Sequence, residues 1–334
     1  MSDKPIIAVT LGDPSGIGPE VVAKALAHPE VLAACHPLVV GSAPLLEQTV
    51  RDLGLDLAMT RVSAAAEAPR NAISILDSGN LNAEDIVPGR ISAAAGKASV
   101  EWILQAGEMA LAGQVQAIAT APINKEAARL AGYQGIGHME LLQSLSRAKE
   151  VATMLTAGSL RVVHLTTHKT LAQAVAFVKK DNIVVKLKLT HTSFQEWGFS
   201  TPRIAVAALN PHGGDGGLLG REEIEEIAPA VEEARAQGID AIGPIPADSV
   251  FPQAVDGRYD VVLVLYHDQG HIPIKVKDLD GSVSINLGFP FVRTSVDHGT
   301  AFDIAGKGVA AHVSMLESIR LAVALAKGDG LAGF

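Results

Sequence analysis

The chain has 334 residues, 48% of them apolar, and 32 glycines, enough to bury a large core and out of keeping with a disordered chain. Its 27 Lys+Arg against 36 Asp+Glu leave a formal charge of −9, the wrong sign for a general binder of nucleic acid or anionic membrane. The lone cysteine, Cys35, can form no intrachain disulfide, and no apolar run nears the roughly 20 residues that span a bilayer, so a cytoplasmic protein without targeting segment or membrane insertion is expected.

Short runs of Val, Ile and Leu alternate with longer segments carrying Ala, Glu and Lys, the pattern of strands covered on both faces by crossover helices. The expected class is parallel α/β. Strands are predicted over 6–11, 37–41, 115–120, 151–156, 161–165, 203–209, 259–265 and 282–287. Helices are predicted over 19–27, 93–111, 182–197, 221–236 and 313–326, and the Ala-rich stretch 60–69 reads as loop or short helix. No repeat or linker marks a boundary, which suggests domains that share a sheet or exchange segments.

The first motif in chain order is Gly12-Asp-Pro-Ser-Gly-Ile-Gly-Pro-Glu20, which follows a strand and opens a helix with Pro19 in its first turn. Backbone N–H groups there can meet an anion or a carboxamide. It is neither a Walker A loop nor a dinucleotide fingerprint, and a plain strand-to-helix turn explains it equally well.

Three later strands run apolar and stop at an imidazole. The first ends in His164-Leu-Thr-Thr-His168, the second in Asn210-Pro-His212 and the third in Tyr266-His267. In parallel sheets ligands bind beyond the carboxyl ends of strands, so His168, His212 and His267 form a candidate set for Zn²⁺ or another borderline divalent ion with a position left open for substrate. Taken singly, each is more simply a histidine bonded to its own loop. The run His267-Asp-Gln-Gly-His271 is not a helical metalloprotease motif, because Gly270 and Pro273 oppose a helix and the glutamate is missing. Further on, Asp297-His-Gly-Thr-Ala-Phe-Asp303-Ile-Ala-Gly306-Lys-Gly308 can approach a planar ligand through its small residues. Asp303 can accept bonds from ribose hydroxyls there, although a surface turn with a solvated Asp fits the spacing as well.

These segments, with Thr120-Ala-Pro-Ile-Asn-Lys125, Gly137-His138, Gly243-Pro-Ile-Pro-Ala-Asp248 and Arg293-Thr-Ser-Val-Asp-His-Gly-Thr300, resemble the 4-hydroxythreonine-4-phosphate dehydrogenase family in order from first strand to last helix. The first and last loops also resemble those of isopropylmalate and isocitrate dehydrogenases. The resemblance implies their two-domain α/β architecture with an interdomain cleft. Residues 1–128 plus 288–334 would form the nucleotide side, and 129–287 the metal, substrate and dimerisation domain. It implies NAD at Gly12, Asp13, His298, Gly299, Asp303 and Gly306. It also implies one divalent ion, zinc first with magnesium, manganese or cobalt as alternatives, held by His168 and His212 of one subunit and His267 of its partner. The protein would then be a homodimer acting on a small anionic hydroxy acid, with no nucleic-acid or membrane partner.

Substrate positions carried over intact are His138, Lys275 and Arg293. Met139 stands where the family has threonine, Ser284 where it has asparagine, and Asp215 where it has glutamate; Asn286 lies one pleat from Ser284 on the same strand face. The implied reaction is oxidation of a secondary alcohol β to a carboxylate followed by decarboxylation, with Lys275, Asp248 and Asp268 as candidate catalytic groups. The carboxylates Asp248 and Asp268 serve equally well as partners that orient ligands or stabilise turns. Three substrates compete: 4-phosphohydroxy-L-threonine of pyridoxine biosynthesis, a four-carbon phosphosugar acid such as 4-phosphoerythronate or 4-phosphothreonate, and an aromatic cis-dihydrodiol carboxylate of the terephthalate type. A metal-binding protein without catalysis is the reading from another class, and NADH production from any hydroxy acid separates it from the others.

Overall fold

The most buried strands form where Val, Ile, Leu and Ala follow one another, as in Ile6–Thr10, Ile204–Ala207 and Val261–Val264. The computed structural model of the chain describes residues 4–69, 72–134 and 137–331. Its strands are Ile6–Thr10 (β1), His36–Gly41 (β2), Met59–Val62 (β3), Ile73–Asp77 (β4), Ala117–Thr120 (β5), Ala152–Ala157 (β6), Leu160–His164 (β7), Ile204–Ala207 (β8), Ala241–Ile245 (β9), Val261–Val264 (β10), Val283–Leu287 (β11) and Val292–Val296 (β12). The chain divides into two units, each made of two pieces: Met1–Lys149 with Phe289–Lys327, and Glu150–Gly288 with Gly328–Phe334.

In the first unit the strand order is β3-β4-β2-β1-β5-β12, and every pair is parallel. Ile7, Val9, Leu38, Val39 and Ile118 are fully buried, each Val, Ile or Leu side chain contributing about 1.5–3 kcal/mol of transfer free energy. Helices Ala93–Leu111 and Val313–Lys327 cover these strands, and Trp102, Met315, Ile319 and Ala322 join one continuous apolar cluster with β1, β2, β5 and β12. Residues 129–149, expected with the second domain, group with this unit, because Leu141 and Leu142 of helix His138–Ser146 pack on Val100 and Ile103.

The second unit is not wholly parallel. Its order is β11-β6-β7-β10-β8-β9, with β11, β6 and β7 antiparallel and β7, β10, β8 and β9 parallel. Only Gly158-Ser159 joins β6 to β7, far too short for a crossover and suited to a hairpin turn. Residues 328–331 belong here rather than with the first unit, tied by a bond from Arg161 Nη2 to Leu331 O of 2.9 Å.

Four strands escape the sequence reading. β3 is a half-exposed edge strand inside the stretch read as loop or short helix, where a single short turn at Ala65–Glu67 also forms. β4 is short and next to that edge. β9 contains Gly243-Pro244, which an edge strand tolerates because its outer face has no ladder to complete. β12 reads as polar, yet Arg293, Thr294 and Ser295 are buried with internal partners. Among the described residues no helix is long and apolar enough to cross a membrane.

Candidate active site

The adjacent strands β7, β10 and β8 deliver the three predicted histidines at their carboxyl ends. Side chains chosen for that purpose tie the ends together. Thr166 Oγ1 donates to Leu265 O at 2.8 Å, joining the end of β7 to that of β10. The buried Gln269 accepts from Leu265 N at 2.8 Å and donates from Nε2 to Ala208 O at 2.7 Å, joining β10 to β8. Glu223, also buried, accepts from Leu209 N at 2.8 Å, Asn210 N at 2.7 Å and Asn210 Nδ2 at 2.9 Å. It thereby anchors the turn that presents His212. That turn is a run of left-handed residues from His212 through Gly217, with φ of 52° at His212 and 45° at Asp215. Positive φ at two non-glycine residues costs on the order of 1–3 kcal/mol each and persists only where surrounding bonds enforce it. His212 stays exposed, with its Nδ1 3.6 Å from Asp215 Oδ2.

His267 opens a helix that runs to Lys277 through Gly270 and Pro273, against the expectation from those two residues. Burial of Gln269, Gly270 and Ile274 holds the helix in place. Glycine is required at 270 because a Cβ there would stand 2.4 Å from His164 Nε2. The metalloprotease reading still fails, since position 268 is aspartate and the rings of His267 and His271 stack face to face, 3.6 Å apart at 10°. Asp268 Oδ1 lies 2.7 Å from His267 Nδ1. A carboxylate only accepts, so Nδ1 donates and the Nε2 lone pair is left for a cation, the arrangement in which a carboxylate orients a ligating imidazole. The His168 and His267 rings are 6.2 Å apart. Among the described residues no three His, Cys, Asp or Glu stand close enough together to hold an ion; the donor types of His168, His212 and His267 fit a divalent metal.

Below this layer His164 is buried, packs on His271 at 4.8 Å and holds Thr153 O through Nδ1 at 3.4 Å. Burial, followed by the neighbouring His271, pushes its pKa down to about 3. Lys275, two turns along from His267, reaches Ser282 Oγ at 3.4 Å. Ser284 and Asn286 alternate with buried apolar residues along β11 and share a face, Asn286 buried and Ser284 partly so. Asp248 stands exposed in the first turn of helix Ala247–Val255, which follows β9.

In the first unit, β12 and β5 carry a buried polar constellation around a cation. Arg293 is 4% exposed and donates to Thr120 Oγ1 from both Nε (3.1 Å) and Nη2 (2.6 Å). Thr120 in turn donates to Ser295 Oγ at 3.0 Å. Burial lowers the guanidinium to about 9, with the Glu140 charge acting against that; it stays cationic at neutral pH. His138 begins helix His138–Ser146, with Met139 half-buried beside it. Burial first and the Arg293 charge second hold His138 well below the usual histidine range, so it is neutral, and its Nε2 is enclosed without a partner.

The glycine motif turns against this constellation. Gly12 has φ +69°, and a Cβ there would meet Pro122 O at 2.4 Å, so only glycine lets the turn sit on the Thr120–Lys125 segment. Asp13 N donates to Pro122 O at 2.8 Å. Asp13 Oδ1 accepts from Ser15 N at 2.8 Å while Oδ2 is buried without a partner. Burial raises this carboxyl to about 6 against the pull of backbone N–H donors. Ile17 N donates to Thr300 O at 3.0 Å, bringing the predicted nucleotide loop alongside. Pro14, Glu20, Gln48, Ile86, Gly306 and Lys307 help to line a cavity of about 310 Å³. Gly299 and Asp303 are exposed, and His298 Nδ1 bonds Gly299 O at 3.0 Å.

Sequence reasoning missed Thr120, Thr166, Glu223 and Gln269 as positioning residues. Thr120, Thr166 and Gln269 sit within quoted motifs and Glu223 in a predicted helix, yet nothing local reveals their partners.

Residues 33–322 match the family model described as pyridoxal phosphate biosynthetic protein PdxA. The chain is 45% identical over 330 residues to the D-threonate 4-phosphate dehydrogenase of Cupriavidus necator, covering 98% of this chain and 99% of that protein. Among solved structures it is similar to a 4-hydroxythreonine-4-phosphate dehydrogenase from Klebsiella pneumoniae, with TM-score 0.89, 42% identity, and 97% and 100% of the two chains covered. A terephthalate 1,2-cis-dihydrodiol dehydrogenase from Burkholderia xenovorans gives TM-score 0.66 at 32% identity, covering 96% and 98%. A β-decarboxylating dehydrogenase from Thermococcus kodakarensis, 14% identical with TM-score 0.52 and covering 96% and 83%, shares the fold alone.

Proposed function

Because the chain belongs to the PdxA family of pyridoxal phosphate biosynthetic proteins, we propose that it oxidises the secondary alcohol of a phosphorylated β-hydroxy acid with NAD and then decarboxylates the product, D-threonate 4-phosphate being its preferred substrate. The observation that carries this reading is the buried Arg293 beside the neutral His138, a cation and an imidazole enclosed together in the first unit. The name of the Cupriavidus relative supports the 2-hydroxy acid over its 2-amino counterpart, 4-phosphohydroxythreonine. The lower identity to the dihydrodiol enzyme argues against an aromatic substrate.

Overall the alcohol carbon gives up a hydride to nicotinamide and its oxygen a proton, yielding a β-keto acid, NADH and H⁺. The bond to the carboxylate then breaks, CO₂ leaves, and the carbon left behind is protonated. A divalent ion, when bound, supplies a Lewis acid that lowers the alcohol pKa and serves as electron sink for decarboxylation, while NAD takes the hydride. His168, His212 and His267 would hold the ion, Asp268 fixing the tautomer of His267. Arg293 offers a rigid fork to phosphate or carboxylate, and Lys275 a point charge. His138, neutral with an enclosed Nε2, orients a substrate oxygen without adding charge. Asp248 and Asp268 are the carboxylates within this reading that could pass the proton on. Asp303 favours NAD over NADP, since a carboxylate repels a 2′-phosphate.

We also read the working protein as a homodimer in which His267 comes from the partner subunit. Ile272, Val276 and Leu279 follow His267 on the same stretch and are 58%, 83% and 67% exposed, an apolar surface beside the site that a second copy would cover.

NADH absorbance over a panel of hydroxy acids, with and without chelator, tests the proposal. D-threonate 4-phosphate should give the highest kcat/KM, chelator should abolish turnover, and NADP should be the poorer acceptor. Highest efficiency with 4-phosphohydroxy-L-threonine or a cis-dihydrodiol carboxylate, or turnover indifferent to chelator, would overturn it.

A further inference from the structure

The last residue of the glycine motif, Glu20, has no part in the reading above. It is 5% exposed on helix Gly18–Leu26, and one of its oxygens, Oε1, accepts from Ala310 N at 2.7 Å and from Lys24 Nζ at 2.8 Å. Lys24 Nζ goes on to Gly308 O at 3.0 Å and Ala310 O at 2.9 Å. The three ammonium protons thus meet three acceptors, two of them carbonyls of the far end of the nucleotide loop. At its near end that loop is held by the Ile17 N to Thr300 O bond. Between these anchors Ala301 has φ 40° and Gly306 and Gly308 have φ above 70° or close to it, a path with no regular hydrogen-bonded ladder of its own. Glu20 and Gly306–Gly308 also both line the 310 Å³ cavity. The pair therefore fixes one wall of that cavity relative to the helix.

We infer that Glu20 and Lys24 are positioning residues for the dinucleotide: their ion pair, Glu20 buried and Lys24 partly so, holds residues 300–310 in the binding-competent path before cofactor arrives. This rests on the reading that the loop holds NAD. A loop ordered in advance binds without the conformational cost of being ordered at that moment, so weakening the pair is felt in cofactor affinity and scarcely in the chemical step.

The test compares wild type with Lys24→Met, Lys24→Arg and the double variant Glu20→Gln/Lys24→Met. The double variant avoids leaving a bare buried carboxylate, which by itself destabilises a fold strongly. Two readouts are taken on the intact protein: hydrogen exchange of amides 300–310 relative to those of helix Ala93–Leu111, and NADH affinity by fluorescence titration. In Lys24→Met and in the double variant, exchange in 300–310 should quicken by about tenfold or more while helix Ala93–Leu111 stays protected. The Kd for NADH should rise by about tenfold, with kcat at saturating NAD changed less than about twofold. Lys24→Arg, which keeps charge and donors, should recover most of the affinity. If 300–310 stay protected in the double variant, the clamp is refuted, whatever happens to affinity. If those amides open and NADH affinity is unmoved, the assignment of the loop to NAD is what fails, and the inference falls with it.

Discussion

Nε and Nη2 of Arg293 share one acceptor, Thr120 Oγ1, so a valine at 120 keeps the volume and removes the acceptor of two hydrogen bonds of a buried cation. A hydrogen bond to a charged group is worth about 1.5–3 kcal/mol. Thr120→Val should therefore raise KM for the phosphorylated substrate by about 10- to 100-fold while Thr120→Ser stays near wild type, as steady-state kinetics will show. His164 bears on pH. Its folded pKa of about 3 lies below the 6.5 of an unperturbed histidine, so the unfolded chain takes a proton that the fold refuses. The stability this neutral ring contributes is present above pH 6.5 and is lost as pH falls towards 3, by up to about 1.4 kcal/mol per pH unit. Denaturant titrations of His164→Asn, which keeps a donor for Thr153 O, should show a shallower acid-side slope than wild type between pH 6 and 4. Residues of this kind differ in how far the sequence betrays them. His168, His212 and His267 stand out because each ends an apolar run, whereas Thr120 and Arg293 lie 173 positions apart and Gln269 finds its acceptor 61 residues back, separations that no local pattern encodes.

A turn can also be held open by the helix that follows it. The left-handed run at His212–Gly217 hangs from Glu223, which satisfies the N–H groups of Leu209 and Asn210. Glu223→Leu would strand those two donors at about 1–3 kcal/mol each and release the turn. We expect the Kd for Zn²⁺, measured by competition with a chromophoric chelator, to rise by at least about tenfold, with far less effect from Glu223→Gln, whose carbonyl still accepts. Legibility at this scale follows burial. Helix Ala93–Leu111 is read to the residue, and Gly18–Leu26 and Val313–Lys327 to within one, because their apolar faces repeat at helical spacing. The hairpin β6–β7 was open to recognition from Gly158-Ser159, but its strands were as apolar as parallel ones. Helix His267–Lys277 was hidden by Gly270 and Pro273, whose local preference is outweighed by the packing of Gln269 and Ile274.

For the whole molecule, the apolar residues beyond His267 are the decisive surface. Val276→Asp puts a charge on the most exposed of them and should convert a dimer to monomers by light scattering; zinc retention should fall with it, since the proposed arrangement takes His267 from the second copy. A variant that stays dimeric and keeps its metal would refute that arrangement. The two-piece composition of each unit also sets an order of construction. β12 is the neighbour of β5, and Met315, Ile319 and Ala322 fill the same apolar cluster as β1. The unit that begins the chain therefore lacks a strand and part of its core until residues 292–322 have been made. Residues 150–288 are contiguous and carry all six strands of the other unit. During synthesis the half encoded second has all of its strands first, lacking only its short piece from Gly328. The half encoded first waits as an incomplete sheet with an exposed edge, the form of it most open to mispairing.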